Sequence, residues 1–363
     1  MSIDSPVFSG LFAINRGNMA NIRDVAQRAG VSVSTVSNLL NGRTNRMRPE
    51  TLARIEAAII ELQFSPNRAA RQLKTGQVNM LGLLVPSIVN PSFAELAHEI
   101  DIAAKQHGYR VLLGNTYRNQ EEERTFLNDL LSQGIRGMIV VSTMTEQSHF
   151  HDAIARGLVM VNYDMQTHPD SPERSVIGDS ISMDNFQAGK IAAQHLIDRG
   201  CKNIAFVTES GKTVSRMNRI SGFINAAQQS GLSDHYRIIE GKARSGYGDA
   251  EMTELGKALA KTISQQPTPP DGIVAVNDVM AIGLIAGFRA SGIRVPEDIS
   301  VVGIDNTFLT SLVTPALTSV APPLTEIATV MVDRLIARLD NPAIEVEEFL
   351  FLPELVIRES VVG

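Results

Sequence analysis

From Met80 to Asp305 the chain alternates short apolar runs with amphipathic stretches, and that alternation leaves few folds open. The runs are "MLGLLVP", "YRVLLGN", "GMIVVS", "LVMVNYD", "IAFVTE", "GIVAVND" and "ISVVGID". Between them lie helix-like stretches such as "FAELAHEIDIAAKQH" and "QAGKIAAQHLIDRG". Strands that are apolar along their whole length are buried on both faces, which implies parallel sheets covered by helices. There are too many strands for one small unit. The expectation is an α/β body of two doubly wound parallel-sheet lobes, with ligands held where strand C-terminal ends face each other across a cleft. A chain of 363 residues, 44% hydrophobic, can bury two or three cores.

The segment before this body has a different grammar. In "NIRDVAQRAGVSVSTVSNLLNG", Ile22, Val25, Ala26 and Ala29 fall on one helical face. Asn21 can cap that helix, with Asp24 at the positive end of its dipole. Gly30 suits the left-handed residue after a helix. Ser32 can cap a second helix, with Val33, Val36 and Leu40 facing inward. Two helices that cross steeply need a small residue at the contact, a glycine in the turn and a branched residue beyond it. Ala26, Gly30 and Val36 supply the three, which is the helix-turn-helix pattern. The second helix then offers Ser34, Thr35, Ser37 and Asn38, short polar side chains suited to base edges and phosphates. A third helix over "RPETLARIEAAIIELQF", with Leu52, Ile55, Ile59 and Leu62 on one face, closes an all-α head.

Charge separates the two parts. Residues 19–76 carry nine basic and four acidic side chains, yet the whole chain has a net charge of −6. A basic head on an acidic body implies a polyanion partner for the head alone. "SPNRAARQLKTG", residues 65–76, adds Arg68, Arg71 and Lys74, no acid, and one large apolar residue, Leu73. A helix so short is marginal in water.

"IRDVAQRAGVSVSTVSNLLNG" followed by "SPNRAARQLKTG" resembles the DNA-binding head of the lactose-repressor (LacI-type) family. "NPSFAEL", "SMDNFQAG", "RISGF" and "NDVMAIGLIAGFRASGIRVPEDISVVGIDNTFLTSLVTPALTSVAPP" resemble the periplasmic-binding-protein-like effector domain of the same family. The resemblance implies a repressor that binds a pseudo-palindromic operator as a dimer, or as a tetramer, and changes its DNA affinity when a small effector fills the interlobe cleft. It implies DNA contacts from Ser32, Ser34, Thr35, Ser37 and Asn38 in the major groove. A basic segment that folds on the operator would add Asn67, Arg68, Arg71 and Leu73. Many relatives carry Arg where this chain has Asn38, so their base preference does not transfer.

Effector contacts are expected from Phe93, Asp164, Arg219, Asn277 and Asp305. Arg219 offers a planar fork of donors, Asp164 and Asp305 offer acceptor pairs, and Asn277 offers both. A carbohydrate-like effector is the first expectation and a purine or nucleoside the second. The segment near Ala243 has no aromatic residue where relatives often place one, and the chain has no Trp.

The domain plan that follows is an N-terminal extension over 1–18, expected to be disordered, then the helix-turn-helix domain over 19–65. A hinge helix and linker over 66–76 lead to an effector-binding and dimerisation body over 77–363. Lobe 1 would take about 77–180 and 322–345, and lobe 2 about 181–320 and 346–363. Crossings are expected near 179–182, 319–323 and 344–347.

Other functions lack their residues. No run of about 18 apolar residues could span a membrane, and residues 1–18 make a poor secretion signal, so a cytoplasmic location is expected. A lone Cys201 excludes an internal disulfide. "VTESGKTVS" mimics the end of a phosphate-binding loop, but Phe206 stands where its first Gly is needed. His149 and His151 have no evident third ligand and read as a solvated helix start. No nucleophile motif is present. A transport solute-binding protein would need an export signal and no basic head, and a sugar-processing enzyme would need a catalytic constellation. The expectation is a non-enzyme with no cofactor, no metal and no catalytic residues.

Overall fold

The computed structural model describes residues 20–40, 42–45, 47–64, 78–117, 119–141, 148–164, 177–211, 213–242 and 249–363. They form two compact units that divide at Gln77 and Val78. The expected extension over 1–18 and the hinge over 66–76 lie outside the described residues.

The first unit holds α1 (Ile22–Ala29), α2 (Val33–Leu40) and α3 (Pro49–Glu61). A capping box opens α1: Asn21 Oδ1 accepts the Arg23 N–H at 2.8 Å, and the Asp24 carboxylate accepts the Asn21 N–H at 2.8 Å. Gly30 ends the helix in the left-handed region, at φ 64°. Val25, Ala26, Ala29, Val36, Ile55 and Ala58 make the core. One inward assignment fails. Val33 is 41% exposed, while Val31 in the turn and Leu39 pack against the core. Val33 is the first helical residue, at the edge of the helix pair, where Val31 already fills the space.

The second unit contains two sheets. The chain runs through β1 (Met80–Val85), α4 (Pro91–Gln106), β2 (Arg110–Asn115), α5 (Gln120–Ser132), β3 (Gly137–Val141), α6 (Ser148–Ala155), β4 (Val159–Tyr163) and β5 (Asp179–Met183). It then enters the second lobe through α7 (Asn185–Asp198), β6 (Ile204–Glu209), α8 (Val214–Gln229), β7 (Tyr236–Gly241), α9 (Asp249–Ser264), β8 (Gly272–Ala275), α10 (Asp278–Ala290), β9 (Ser300–Ile304) and β10 (Thr318–Ala321). It ends with α11 (Leu324–Asp340), β11 (Glu348–Phe351) and β12 (Glu354–Val356). The first sheet has the order β11-β5-β4-β3-β1-β2, with every neighbouring pair parallel. The second has the order β12-β10-β9-β8-β6-β7, parallel except for β12 against β10.

The crossings between lobes fall at Asp184, at 322–323 and at 352–353. Two of them correct the sequence reading. All of β5 lies in the first sheet, so the first crossing follows it. β11 also pairs with β5, so the last crossing comes later than 344–347, and residues 348–351 belong to lobe 1. β11 is an edge strand whose alternate side chains are exposed, so it shows no continuous apolar run.

A buried ion cluster locks the first lobe. Asp179, fully buried at the start of β5, accepts from Arg334 Nε at 2.8 Å and Arg338 Nε at 2.7 Å. Their Nη2 groups reach its other oxygen at 3.1 and 2.9 Å, and the Glu347 N–H joins at 2.8 Å. Two guanidinium forks on one carboxylate tie α11 and the approach to β11 onto β5.

In the second lobe α7 and α8 meet at glycine. A Cβ at Gly189 would stand 1.9 Å from the Arg219 carbonyl oxygen, and one at Gly222 would stand 1.9 Å from that of Phe186. Gly189→Ala is therefore expected to part the helices at a cost of about 1–3 kcal/mol and to move Arg219 with them. Thermal melting checks the cost, and an unchanged melt would show that the helices give way there easily.

Candidate functional site

The C-terminal ends of both sheets open onto one cleft, with about 700 Å³ of empty space that includes its open mouth. Phe93, Asp164, Arg219, Asn277 and Asp305 all line it. The fold thus brings together the five side chains singled out from sequence. Asn90, Tyr163, Glu209, Ser215, Arg216 and Met252 line it too, and the sequence reading had missed them.

A chain of polar contacts crosses the cleft from lobe to lobe. Asp164 Oδ1 accepts from Asn185 Nδ2 at 2.7 Å. Asn185 Oδ1 accepts from Arg219 Nε at 2.8 Å. Arg219 Nη1 donates to the Val276 carbonyl at 2.6 Å, and Nη2 stands 3.6 Å from the Asp305 carboxylate. Asn185 follows the first crossing directly, so the link runs through the hinge. Asp164 follows β4 at φ 62° and Asp305 follows β9 at φ 120°. Residues other than glycine rarely hold such angles, and they cluster at functional sites where the surroundings impose them.

Electrostatics sharpen the picture. Burial holds the Asp164 carboxyl above the usual carboxylate range, against the pull of Arg219, Asn185 and Ser215. Burial also raises the Tyr163 hydroxyl, with Asp164 and Asp305 adding to it, so the phenol stays neutral. Asn277 is partly committed: its Oδ1 caps α10 by accepting the Met280 N–H at 3.0 Å, which leaves its amide donors toward the cleft. Arg216, buried beside it, pairs with Glu209 and donates to the Gly211 carbonyl at 2.6 Å.

In the head, Ser32 Oγ accepts the Thr35 N–H at 3.2 Å and meets the Ser34 and Thr35 hydroxyls at 2.7 and 2.8 Å. Ser34 and Asn38 are exposed, whereas Thr35 and Ser37 are half-buried and present less than expected. Asn67, Arg68, Arg71 and Leu73 lie outside the described residues, as does the segment near Ala243.

His149 is not at a solvated helix start. It is buried, and its Nε2 meets the equally buried Glu123 at 2.7 Å, a partner 26 residues away that local patterning could not show. Among the described residues no group of three or more His, Cys, Asp or Glu side chains could hold a metal, and no helix is long and apolar enough to cross a membrane.

Comparison with known proteins gives two family matches. Residues 21–67 match the bacterial regulatory proteins of the lacI family, and residues 193–361 match the periplasmic binding protein-like domain. The chain is 32% identical to the HTH-type transcriptional repressor PurR of Photobacterium profundum, over 94% of this chain and 99% of that protein. It is 31% identical to the ribose operon repressor of Escherichia coli, over 94% of this chain and all of that protein. The solved structure of the Lac repressor bound to ONPG in the repressed state superposes with a TM-score of 0.79 at 25% identity, covering 94% of this chain and 99% of that one.

Proposed function

The chain belongs to the lacI family of bacterial regulatory proteins, and from that premise we propose that it is a non-enzymatic, effector-responsive repressor of transcription. The head binds a pseudo-palindromic operator as part of a homodimer in the cytoplasm, and a small uncharged polyhydroxylated ligand in the interlobe cleft sets its DNA affinity. One observation carries this reading: the contacts from Asp164 through Asn185 and Arg219 to Asp305 span both lobes at the strand ends. A ligand that bonds to both aspartates must favour one arrangement of the lobes, which is what control of a distant head requires.

The chemistry of the lining favours a sugar over a purine or nucleoside. Two carboxylates offer acceptor pairs to vicinal hydroxyls. The guanidiniums of Arg216 and Arg219 already donate to protein acceptors, which leaves little among the described lining residues to attract an anion. Phe93 and Tyr163 give the aromatic part of the described lining, and Val141, Val276 and Met252 give the aliphatic part. Melting the full chain with neutral pentoses and hexoses, sugar phosphates and purines tests this. At a hundred times its Kd a ligand adds about 2.7 kcal/mol to stability. A response to purines alone, or to phosphorylated sugars alone, would overturn the neutral-sugar reading.

On DNA, α2 enters the major groove with Ser32, Ser34, Thr35, Ser37 and Asn38. Asn67, Arg68 and Arg71 follow the backbone near the operator centre, where Leu73 wedges into the minor groove. Log affinity is expected to fall by roughly 0.9 per phosphate contact for each unit of log salt. An affinity that does not change between 50 and 200 mM salt, about a fourfold range, would contradict a phosphate-dominated head.

A further inference from the structure

Asp278, the first residue of α10, is completely buried and does not line the cleft. Its two oxygens are nonetheless aimed at the segment that carries Asp305. Oδ2 accepts the Thr307 N–H at 2.7 Å, and Oδ1 accepts the Ser319 hydroxyl at 2.6 Å. Ser319 Oγ accepts the Asn306 N–H at 3.0 Å in turn. Arg358 closes the far side, with Nη2 donating to Asn306 Oδ1 and Nη1 to the Leu317 carbonyl, each at 2.8 Å. Asp305 at φ 120° and Asn306 at φ 50° are the residues so held. The fit is tight, because a Cβ at Gly303 would come within 2.3 Å of Asp278 Oδ1.

We propose that Asp278 is the positioning residue of the effector site: its carboxylate clamps the Thr307 amide and the Ser319 hydroxyl, and so holds Asp305 at its strained angle with its side chain toward Arg219. The inference rests on reading the cleft as the effector site. It deepens that reading by assigning the pre-organisation of Asp305 to a residue the ligand never touches.

The clamp has a preferred charge state. At 2.6 and 2.7 Å both bonds are of charge-assisted length, and both treat the carboxylate as an acceptor. A proton on Oδ1 would turn that oxygen into a donor and orphan the buried Ser319 hydroxyl hydrogen. Burial lifts the Asp278 carboxyl to about 7, against the pull of Ser319, Thr307 and Arg358. The charged groups on the elements around it are Arg289 on its own helix, Asp305 on the clamped loop, Arg358 and Glu359 beyond β12, and Glu251, Glu254, Lys257 and Lys261 on α9. β8, β9 and β10 contribute none. With a carboxyl half ionised near neutrality, the clamped fraction falls from about nine-tenths at pH 8 to about one-tenth at pH 6, so apparent ligand affinity falls about tenfold. Global stability runs the other way. A folded value raised above the unfolded 3.8 gives stability that is full below that value and is lost as pH rises through about 7. A residue that served folding alone would not give these opposite trends.

Hydrogen exchange of the full chain without ligand tests the clamp, read on the segment 304–312 and corrected for intrinsic rates. Wild type is expected to lose about tenfold protection there between pH 8 and pH 6. Asp278→Asn is expected to show low protection that no longer changes with pH, and Ser319→Ala to show lowered protection with residual pH dependence. Constant wild-type protection across that range, or Asp278→Asn matching wild type, overturns the proposal. If Asp278→Asn does not fold, the wild-type series and Ser319→Ala decide. D-ribose supplies the second readout: a tenfold loss of wild-type affinity from pH 8 to 6 supports the clamp, and an unchanged affinity overturns it. A chain whose 304–312 segment follows the expected exchange pattern but which binds no sugar sinks the effector reading and leaves the clamp standing.

Discussion

In Asp305→Ala, the response to ligand is lost while operator binding without ligand stays within about twofold of wild type. Asp305 offers an acceptor pair at the cleft, and charge-assisted hydrogen bonds contribute about 1.5–3 kcal/mol each, so losing the pair weakens a polyhydroxylated ligand by roughly a hundredfold or more. The fold tolerates the change, because Arg219 keeps Asn185 and the Val276 carbonyl as partners. The head, a separate compact unit, is untouched. Isothermal titration with the ligand that raises the wild-type melt gives the first quantity, and anisotropy on operator DNA gives the second. Unchanged ligand affinity would place the site elsewhere.

The largest expected loss of stability comes from a residue far from any ligand. Asp179→Ala leaves the buried Arg338 guanidinium without its anion, leaves Arg334 with only the Glu347 carboxylate at 3.4 Å and the Glu345 carbonyl, and leaves the Glu347 N–H without its acceptor. Stranding buried charge in this way costs about 3–5 kcal/mol, a fall in melting temperature on the order of 10 °C for a unit of this size. The pH dependence has a definite sign. The two arginines and the Glu347 amide outweigh burial and hold Asp179 down at about 2. Its contribution is therefore full above the ordinary carboxylate value of 3.8 and is lost as pH falls through about 2. Denaturant melts of wild type and variant at neutral and acid pH measure both effects. A variant that melts with wild type would show that the arginines find other partners.

These two aspartates also mark the boundary of what patterning alone can reveal. Asp305 stood out because it ends an apolar run, and the chain has to turn there. Asp179 opens β5, "DSISM", whose buried side chains are mostly polar, so no apolar run announces the strand. Its partners lie 155 and 159 residues away, and only the folded chain brings them near. The head was legible for a local reason: Asn21, Asp24 and Gly30 act on neighbours within a turn. The cleft was half legible. Strand ends and "RISGF" pointed to Asp164, Arg219, Asn277 and Asp305, yet Asn185, which links the lobes, sits in "SMDNFQAG" with no feature of its own. Asp278 closes the run "GIVAVND" and carried no reading of its own, although its bonds go to Thr307 and Ser319. The late crossing after β11 was hidden because an edge strand with alternate faces exposed looks like loop.

The central claim is that a ligand between the lobes and DNA at the head share one equilibrium. The direct measurement is the affinity of the full chain for a selected palindromic operator duplex, by anisotropy, with and without the sugar that raises its melting temperature. The companion titration measures the sugar with and without the duplex. The account predicts that the sugar changes operator affinity by a factor of about 5–150, and that the operator changes sugar affinity by the same factor, as linkage demands. A sugar that binds tightly in the cleft and leaves operator affinity unchanged would contradict it.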